Sequence, residues 1–299
     1  MRIFSLLRFR LLLACQAVAL RRLVLVLVLV IDPIASAQNL PNTTRLLRFP
    51  ATNDRQIVFC YAGQLYSVHK DGGVARRLTS GPGYASFPRF SADSTQLAFT
   101  SQYDGNTEVY LMPGEGGATP KRLTTTATLG RDDISDRMGP NNIVMTWQNT
   151  KPLVVFRSRM KTFNSFLGEL YTVGLDAELP QQLPLPRGGF ASFSPDDSKM
   201  AFNRVFREFR TWKHYRGGMA DDVWIYDFKT ATTQNLTNNE AQDICPMWAP
   251  DNRIYFISDR DGRMNLFSTD LTGQDTKQHT SFEDFDIKFP SIGKESIVF

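Results

Sequence analysis

An all-β fold, a six-bladed β-propeller of WD40-like repeats with a truncated sixth blade, is predicted by three observations. First, a short apolar run ending in phenylalanine recurs six times: Gln56-Ile-Val-Phe59, Gln96-Leu-Ala-Phe99, Leu153-Val-Val-Phe156, Lys199-Met-Ala-Phe202, Arg253-Ile-Tyr-Phe256 and Ser296-Ile-Val-Phe299. Second, these phenylalanines lie 40, 57, 46, 54 and 43 residues apart, the period of a four-stranded propeller blade. Third, each unit repeats the same order of strand and turn signals, and no amphipathic helical stretch of useful length interrupts them.

Each repeat opens with a strand leading to a tight turn, as in Phe90-Ser-Ala-Asp-Ser94, Phe193-Ser-Pro-Asp-Asp197 and Trp248-Ala-Pro-Asp-Asn252. Proline presets φ there, and Asp or Asn tolerates the left-handed backbone of the turn. The second strand is the apolar run. The third alternates on a period of two: Leu65-Tyr-Ser-Val68, Val109-Tyr-Leu-Met112, Leu170-Tyr-Thr-Val173, Val223-Trp-Ile-Tyr226 and Leu266-Phe-Ser-Thr269. Glycine turns at Asp71-Gly-Gly73 and Glu115-Gly-Gly117 lead to a fourth strand. That strand ends in a polar-Leu-Thr signature at Arg77-Leu-Thr79, Arg122-Leu-Thr124 and Asn235-Leu-Thr237, which degenerates to Gln182-Leu-Pro184 and Gln278-His-Thr280. The expected blades are about 45–83, 84–130, 139–187, 188–240, 241–283 and a partial 284–299. The last is expected to supply only a first strand over Asp286–Pro290 and a second over Ile297–Phe299, leaving an open ring with an unpaired edge.

The N-terminal 37 residues read as a signal peptide. Arg21-Arg22 precede nine apolar residues, Leu23–Ile31, and Ala35-Ser36-Ala37 forms an A-x-A cleavage site before Gln38. A lipoprotein signal ending at Cys15 is the rival reading. The propeller domain then covers 38–299, with a periplasmic or secreted location. The chain has 34 Lys and Arg against 30 Asp and Glu, and residues 1–37 supply five arginines against Asp32 alone. The remainder is formally neutral, which argues against a nucleic-acid partner. Cys60 and Cys245 fall in different blades and read as small buried hydrophobes, not as a disulfide framework.

No Gly-x-Ser-x-Gly elbow, Walker loop or His-Glu-x-x-His motif is present. No catalytic, cofactor-binding or metal-ligating residue is assigned. His69 reads as solvated and His279 as a packed or edge residue. Ser258-Asp-Arg-Asp-Gly262 lacks the later bidentate carboxylate of a Ca²⁺ loop and reads as a turn.

The exceptional segment is Val205–Ala220, between the second and third strands of blade four, where blade five has only a short turn. It sets Arg207, Arg210, Lys213 and Arg216 among Phe206, Phe209, Trp212 and Tyr215, with His214 between. Paired hydrogen bonds and stacking suit such a set to an anionic or carboxylate-bearing ligand. The candidate peptide contacts are thus Arg207, Arg210, Trp212, Lys213, His214, Tyr215 and Arg216. The competing reading is a rigid loop whose aromatics pack on the blade and whose cations are solvated or paired with Asp221 and Asp222.

Here the chain resembles the tricorn protease family in its bacterial branch. The resemblance rests on Glu208–Ala220 with Asp222-Val-Trp-Ile-Tyr-Asp227, continues through Pro246-Met-Trp248, Ile254–Gly262 and Asn265-Leu-Phe267, and ends at Phe285-Asp-Ile-Lys-Phe-Pro-Ser291. It runs from about Arg45 to Phe299. It implies the first, six-bladed propeller of a large serine protease. Such a domain would gate or guide peptides for a catalytic region that nothing here matches, in an oligomeric assembly. The archetypal family is cytoplasmic, which leaves that location as an alternative. Two other readings are a TolB-like periplasmic protein-binding propeller without activity and the propeller of a prolyl-oligopeptidase-like enzyme.

Overall fold

The computed structural model describes residues 46–127, 132, 139–162, 167–210 and 213–299. The expected signal peptide lies outside the described residues. Among the described residues, twenty-two strands form five four-stranded antiparallel sheets and one two-stranded sheet. Blade one holds β1 (Arg48–Thr52), β2 (Gln56–Tyr61), β3 (Gln64–His69) and β4 (Arg76–Arg77). Blade two holds β5 (Ser86–Phe90), β6 (Gln96–Ser101), β7 (Glu108–Pro113) and β8 (Lys121–Arg122). Blade three holds β9 (Ile143–Trp147), β10 (Leu153–Ser158), β11 (Glu169–Gly174) and β12 (Gln181–Gln182). Blade four holds β13 (Ala191–Phe193), β14 (Lys199–Phe202), β15 (Trp224–Asp227) and β16 (Thr232–Asn235), and blade five holds β17 (Asp243–Trp248), β18 (Ile254–Ser258), β19 (Asn265–Thr269) and β20 (Lys277–Gln278). The last sheet pairs β21 (Ser291–Ile292) with β22 (Ile297–Val298). The fold is an all-β propeller with five full blades and a truncated final sheet. No helix among the described residues is long and apolar enough to cross a membrane.

The repeat signatures have local physical causes. In the first-to-second-strand turns, Asp54, Ser94, Asp197 and Asn252 all adopt positive φ. The preceding Asx residue holds each turn with its side chain. Asn53 accepts from the Arg55 and Gln56 amides, Asp93 from Thr95, Asp196 from Ser198 and Asp251 from Arg253. The polar-Leu-Thr signature is a clasp on the third strand. The Leu65, Val109, Val223 and Leu266 amides donate to the hydroxyls of Thr79, Thr124, Thr237 and Thr280 at 2.8–3.0 Å. The hydroxyl thus satisfies an amide at the point where the short outer strand runs out. At the degenerate copy, His279 takes the leucine position, lies against Tyr255 and hydrogen-bonds Ser268 Oγ at 2.8 Å.

Blades pack through apolar faces. Val109 and Leu111 of blade two meet Val154, Phe156 and Tyr171 of blade three, while Val223 and Ile225 of blade four meet Trp248, Ile254 and Phe256 of blade five. A third and larger core runs along the axis through the innermost strands. The expected first strand of the last blade, Asp286–Pro290, is displaced to β21. Phe289 takes a φ of 51° and Pro290 has no N–H to give, as in the bulges of the other inner strands, and pairing begins at Ser291. The β21–β22 turn nevertheless docks on blade one. The Asp54 carboxylate accepts from the Lys294 and Glu295 amides and from Ser296 Oγ, and a Cβ on Gly293 would stand 2.6 Å from it.

Candidate functional site

Four innermost strands share a feature not read from the sequence. Phe49, Phe87, Cys245 and Phe289 each adopt a positive φ of 50–57°, and each is followed by proline, at Pro50, Pro88, Pro246 and Pro290. The register slips at this point in β1, β5 and β17. A left-handed conformation in a bulky residue costs about 1–3 kcal/mol and persists where its surroundings fix it. The bulge aims each side chain at the axis. The rings of Phe49 and Phe87 lie 4.3 Å apart, Phe49 and Phe289 4.6 Å, and Phe87 and Phe289 5.5 Å. These three rings, each at most 6% exposed, form an aromatic plug.

The segment between β14 and β15 seals this plug from one face. Phe206 packs on Phe190 at 5.0 Å and on Phe209 at 5.9 Å, and Phe209 reaches Phe87 and Phe289 at 6.2 and 6.3 Å. Gly139 makes room for this ring, because a Cβ there would lie 2.3 Å from Phe209. Asn203 roots the segment: its amide donates to the Asp222 and Asp243 carbonyls and its oxygen accepts from the Cys245 amide. At the other root, buried Asp221 accepts from the Val205 amide at 2.7 Å. Burial pushes its carboxyl up to about 7, against the opposing pull of that hydrogen bond and of Arg204.

The candidate residues of this strap divide by partner. Lys213 pairs with Asp286 at 2.8 Å, Arg216 with Asp259 at 2.8 Å, and His214 Nδ1 lies 3.5 Å from the same Asp259. Glu208 meets Lys288 at 3.4 Å. Burial alone would raise the Asp286 carboxyl, but the Lys213 hydrogen bond and charge hold it below its ordinary value. The guanidinium of Arg207 lies over the Tyr215 ring at 4.6 Å, and its Nη1 and Nη2 have no hydrogen-bond partner. Arg207, Arg210, Lys213 and His214 together line a cavity of only about 20 Å³. Trp212 lies outside the described residues. The ion-pair partners are therefore not the expected Asp221 and Asp222 beside the strap. They sit on blade five and on the approach to β21, so the strap is pinned to the next blades along the ring while its Phe206 and Phe209 lie on the plug.

Two functional candidates were missed because nothing in their local sequence marks them. Arg157, near the end of β10, is fully buried and stacks on Phe206 at 4.9 Å, and none of its three nitrogens is hydrogen-bonded among the described residues. Burial pulls it down to about 9. A Cβ on Gly168 would lie 2.4 Å from its Nε, so glycine makes its space. The second is Arg89, on the axis below the plug.

A ring of blades closed on its axis by its own loop defines a plugged propeller, and comparison with known proteins places it. The family model of the tricorn protease N-terminal β-propeller domain matches residues 44–299, and the chain belongs to this family. Tricorn protease homolog 1 of Streptomyces coelicolor is 27% identical over 270 residues, covering 87% of this chain and 23% of that protein. Tricorn protease of Thermoplasma acidophilum is 28% identical over 245 residues, covering 80% and 22%. The chain thus spans about a quarter of the length of these relatives. The crystal structure of the tricorn protease matches with a TM-score of 0.70 and 25% identity over 83% of this chain and 24% of that one. TolB from Acinetobacter baumannii shares the fold, with a TM-score of 0.62 and 18% identity over 82% and 56%.

Proposed function

We propose that this chain is the N-terminal, six-bladed propeller of a tricorn-like serine protease, and that it gates or guides peptides for a catalytic core outside it. The supporting observation is a coincidence of segments. Glu208–Ala220, which carries the family resemblance, belongs to the same connection that straps the axis and packs Phe206 and Phe209 on the plug. In this reading the domain covers 38–299 after cleavage at Ala37, in the periplasm or outside the cell, and works within an oligomer. Arg207, Arg210, Trp212, Lys213, His214, Tyr215 and Arg216 meet the passing peptide when the strap lifts. The aromatic contacts hold the gate closed and the ion pairs to Asp259 and Asp286 hold the strap down.

The test is turnover of long unstructured peptides by the full-length protein. Phe206→Ala with Phe209→Ala strips the strap of its aromatic hold on the plug and is expected to change that turnover several-fold, while a dipeptide substrate is cut as before. Equal turnover of long peptides by variant and parent, at equal folded fraction, refutes the gating role. The isolated chain is expected to cut no peptide, and hydrolysis that persists through rigorous purification overturns the absence of a catalytic centre.

A further inference from the structure

Below the plug the axis widens again. A cavity of about 90 Å³ lies among Arg89, Thr146, Ser192, Met247 and Ser291, one inner strand after another, with Phe190 and Cys245 closing it against the plug. It shares Thr52, Phe90, Thr146, Ser192 and Ile292 with an outer vestibule of about 270 Å³, rimmed by the first-to-second-strand turns at Asp54, Ser94 and Pro195. The two form a funnel. It is open on the face opposite the strap and blind at the aromatic rings.

Arg89 is the one charged residue in the described lining of the inner cavity. Its Nε donates to the Met145 carbonyl at 3.0 Å and its Nη1 to the Pro88 carbonyl at 2.8 Å. A guanidinium has five N–H donors in a fixed fork, so these two bonds orient the group without saturating it. No carboxylate among the described residues pairs with it. Asp54 at the rim spends its oxygens on the Lys294 and Glu295 amides and on Ser296. Burial brings the Arg89 guanidinium down to about 10, so it remains charged at neutral pH. An oriented, half-buried cation at the inner end of a funnel is a receptor for a planar monoanion. A single cation does not match a dianion. The remaining lining, hydroxyls of Thr52, Thr146, Ser192 and Ser291 against Phe90 and Met247, suits a short peptide end with small side chains.

We infer that Arg89 receives the C-terminal carboxylate of a peptide that enters the funnel from the face opposite the strap. This rests on the peptide-handling reading above. It assigns that reading a binding site in a part of the propeller distinct from the strap.

The test is a calorimetric titration of the full chain with Ala-Ala-Ala and with its C-terminal amide, repeated for Arg89→Gln and Thr146→Trp. The free acid is expected to bind at least about tenfold tighter than the amide, the value of one charge-assisted pairing. Arg89→Gln removes that preference, and Thr146→Trp, which fills the inner cavity and leaves Arg89 in place, removes binding of both peptides. Acid and amide binding alike, or a preference that survives either substitution, overturns the role of Arg89 while leaving peptide handling intact. Binding of neither peptide sinks both readings. Displacement of the free acid by acetate or inorganic phosphate at matching concentration identifies a general small-anion site and overturns the peptide assignment.

Discussion

Blades four and five make the same connection, from second strand to third, in opposite ways. In blade five, β18 passes to β19 through Asp259-Arg260-Asp261-Gly262, a turn closed by the Gly262 amide on the Asp259 carbonyl. In blade four, the connection between β14 and β15 is long and packs Phe206 and Phe209 on the axial plug. The short turn is what makes the long one stable. Asp259 accepts from the Gln242 amide with one oxygen and receives Arg216 with the other. A carboxylate generic to the repeat thus becomes an anchor for a loop peculiar to one blade. On the strap side Lys213 and Arg216 meet carboxylates, while Arg157 and Arg207 stack on the rings of Phe206 and Tyr215. In the funnel on the opposite face, Arg89 meets only carbonyls. Arg157 and Arg207 are covered by aromatic rings, whereas Arg89 lines an open funnel, and that is where a ligand is expected.

The contrast breaks most visibly at its hub. Phe87 is fully buried and touches Phe49, Phe206, Phe209 and Phe289. Phe87→Ala is expected to cost about 3–5 kcal/mol, the range for a large aromatic removed from a packed core, read as the shift of a urea unfolding midpoint. A loss below about 1 kcal/mol would mean that the rings meet loosely and that the plug is no barrier. The anchor comes next. Asp259→Ala strips the Gln242 amide of its acceptor and releases Arg216 and His214 together, for about 2 kcal/mol. Arg216 and His214 are 40% and 43% exposed at the side chain, so solvent screening keeps their share small. Faster cleavage of the strap by a protease, with the blades intact, is the second readout. A strap as resistant as the parent's would show that its aromatics hold it without the ion pairs.

Much of the blade architecture was legible because it is dictated locally. The alternating third strands, the Asx turns and the Leu-Thr clasp each use residues within one repeat, so a periodic sequence displays them. The strap was legible as an anomaly, a basic and aromatic stretch where its neighbour has six residues. Its partners were not. Asp259 and Asp286 lie more than forty residues along the chain and are brought to Arg216 and Lys213 only by ring closure. Arg157 and Arg89 were silent for the same reason: a fully buried arginine, a half-buried one lining a cavity and a surface one look alike until the fold places them. The plug did leave a trace. Phe-Pro recurs at Phe49-Pro50, Phe87-Pro88 and Phe289-Pro290, with Cys245-Pro246 as a fourth copy, and this repeat within the repeat marks the bulged inner position.

The smallest effect separates the root of the strap from its tip. At the tip, Lys213 holds the Asp286 carboxyl below its ordinary value, so that pair is intact at and above neutral pH and weakens only under acid. At the root, burial has raised Asp221 to about 7, whereas an unfolded aspartate titrates near 3.9 as an approximate reference. Between these values the folded chain keeps a proton that the unfolded chain has released. Folding therefore loses stability as pH rises through the window, and the penalty is complete above the folded value. Asp221→Asn keeps an acceptor for the Val205 amide and removes the titration. The stability of the variant relative to the parent is expected to improve by about 1 kcal/mol per pH unit between pH 5 and 7. The aspartates of the exposed turns, such as Asp93 and Asp196, are shifted downward and so leave this window clear. Parallel stability profiles for parent and variant across pH 5 to 7 would mean that Asp221 is ionised in the folded strap, with Arg204 and the Val205 and Asp222 amides outweighing its burial.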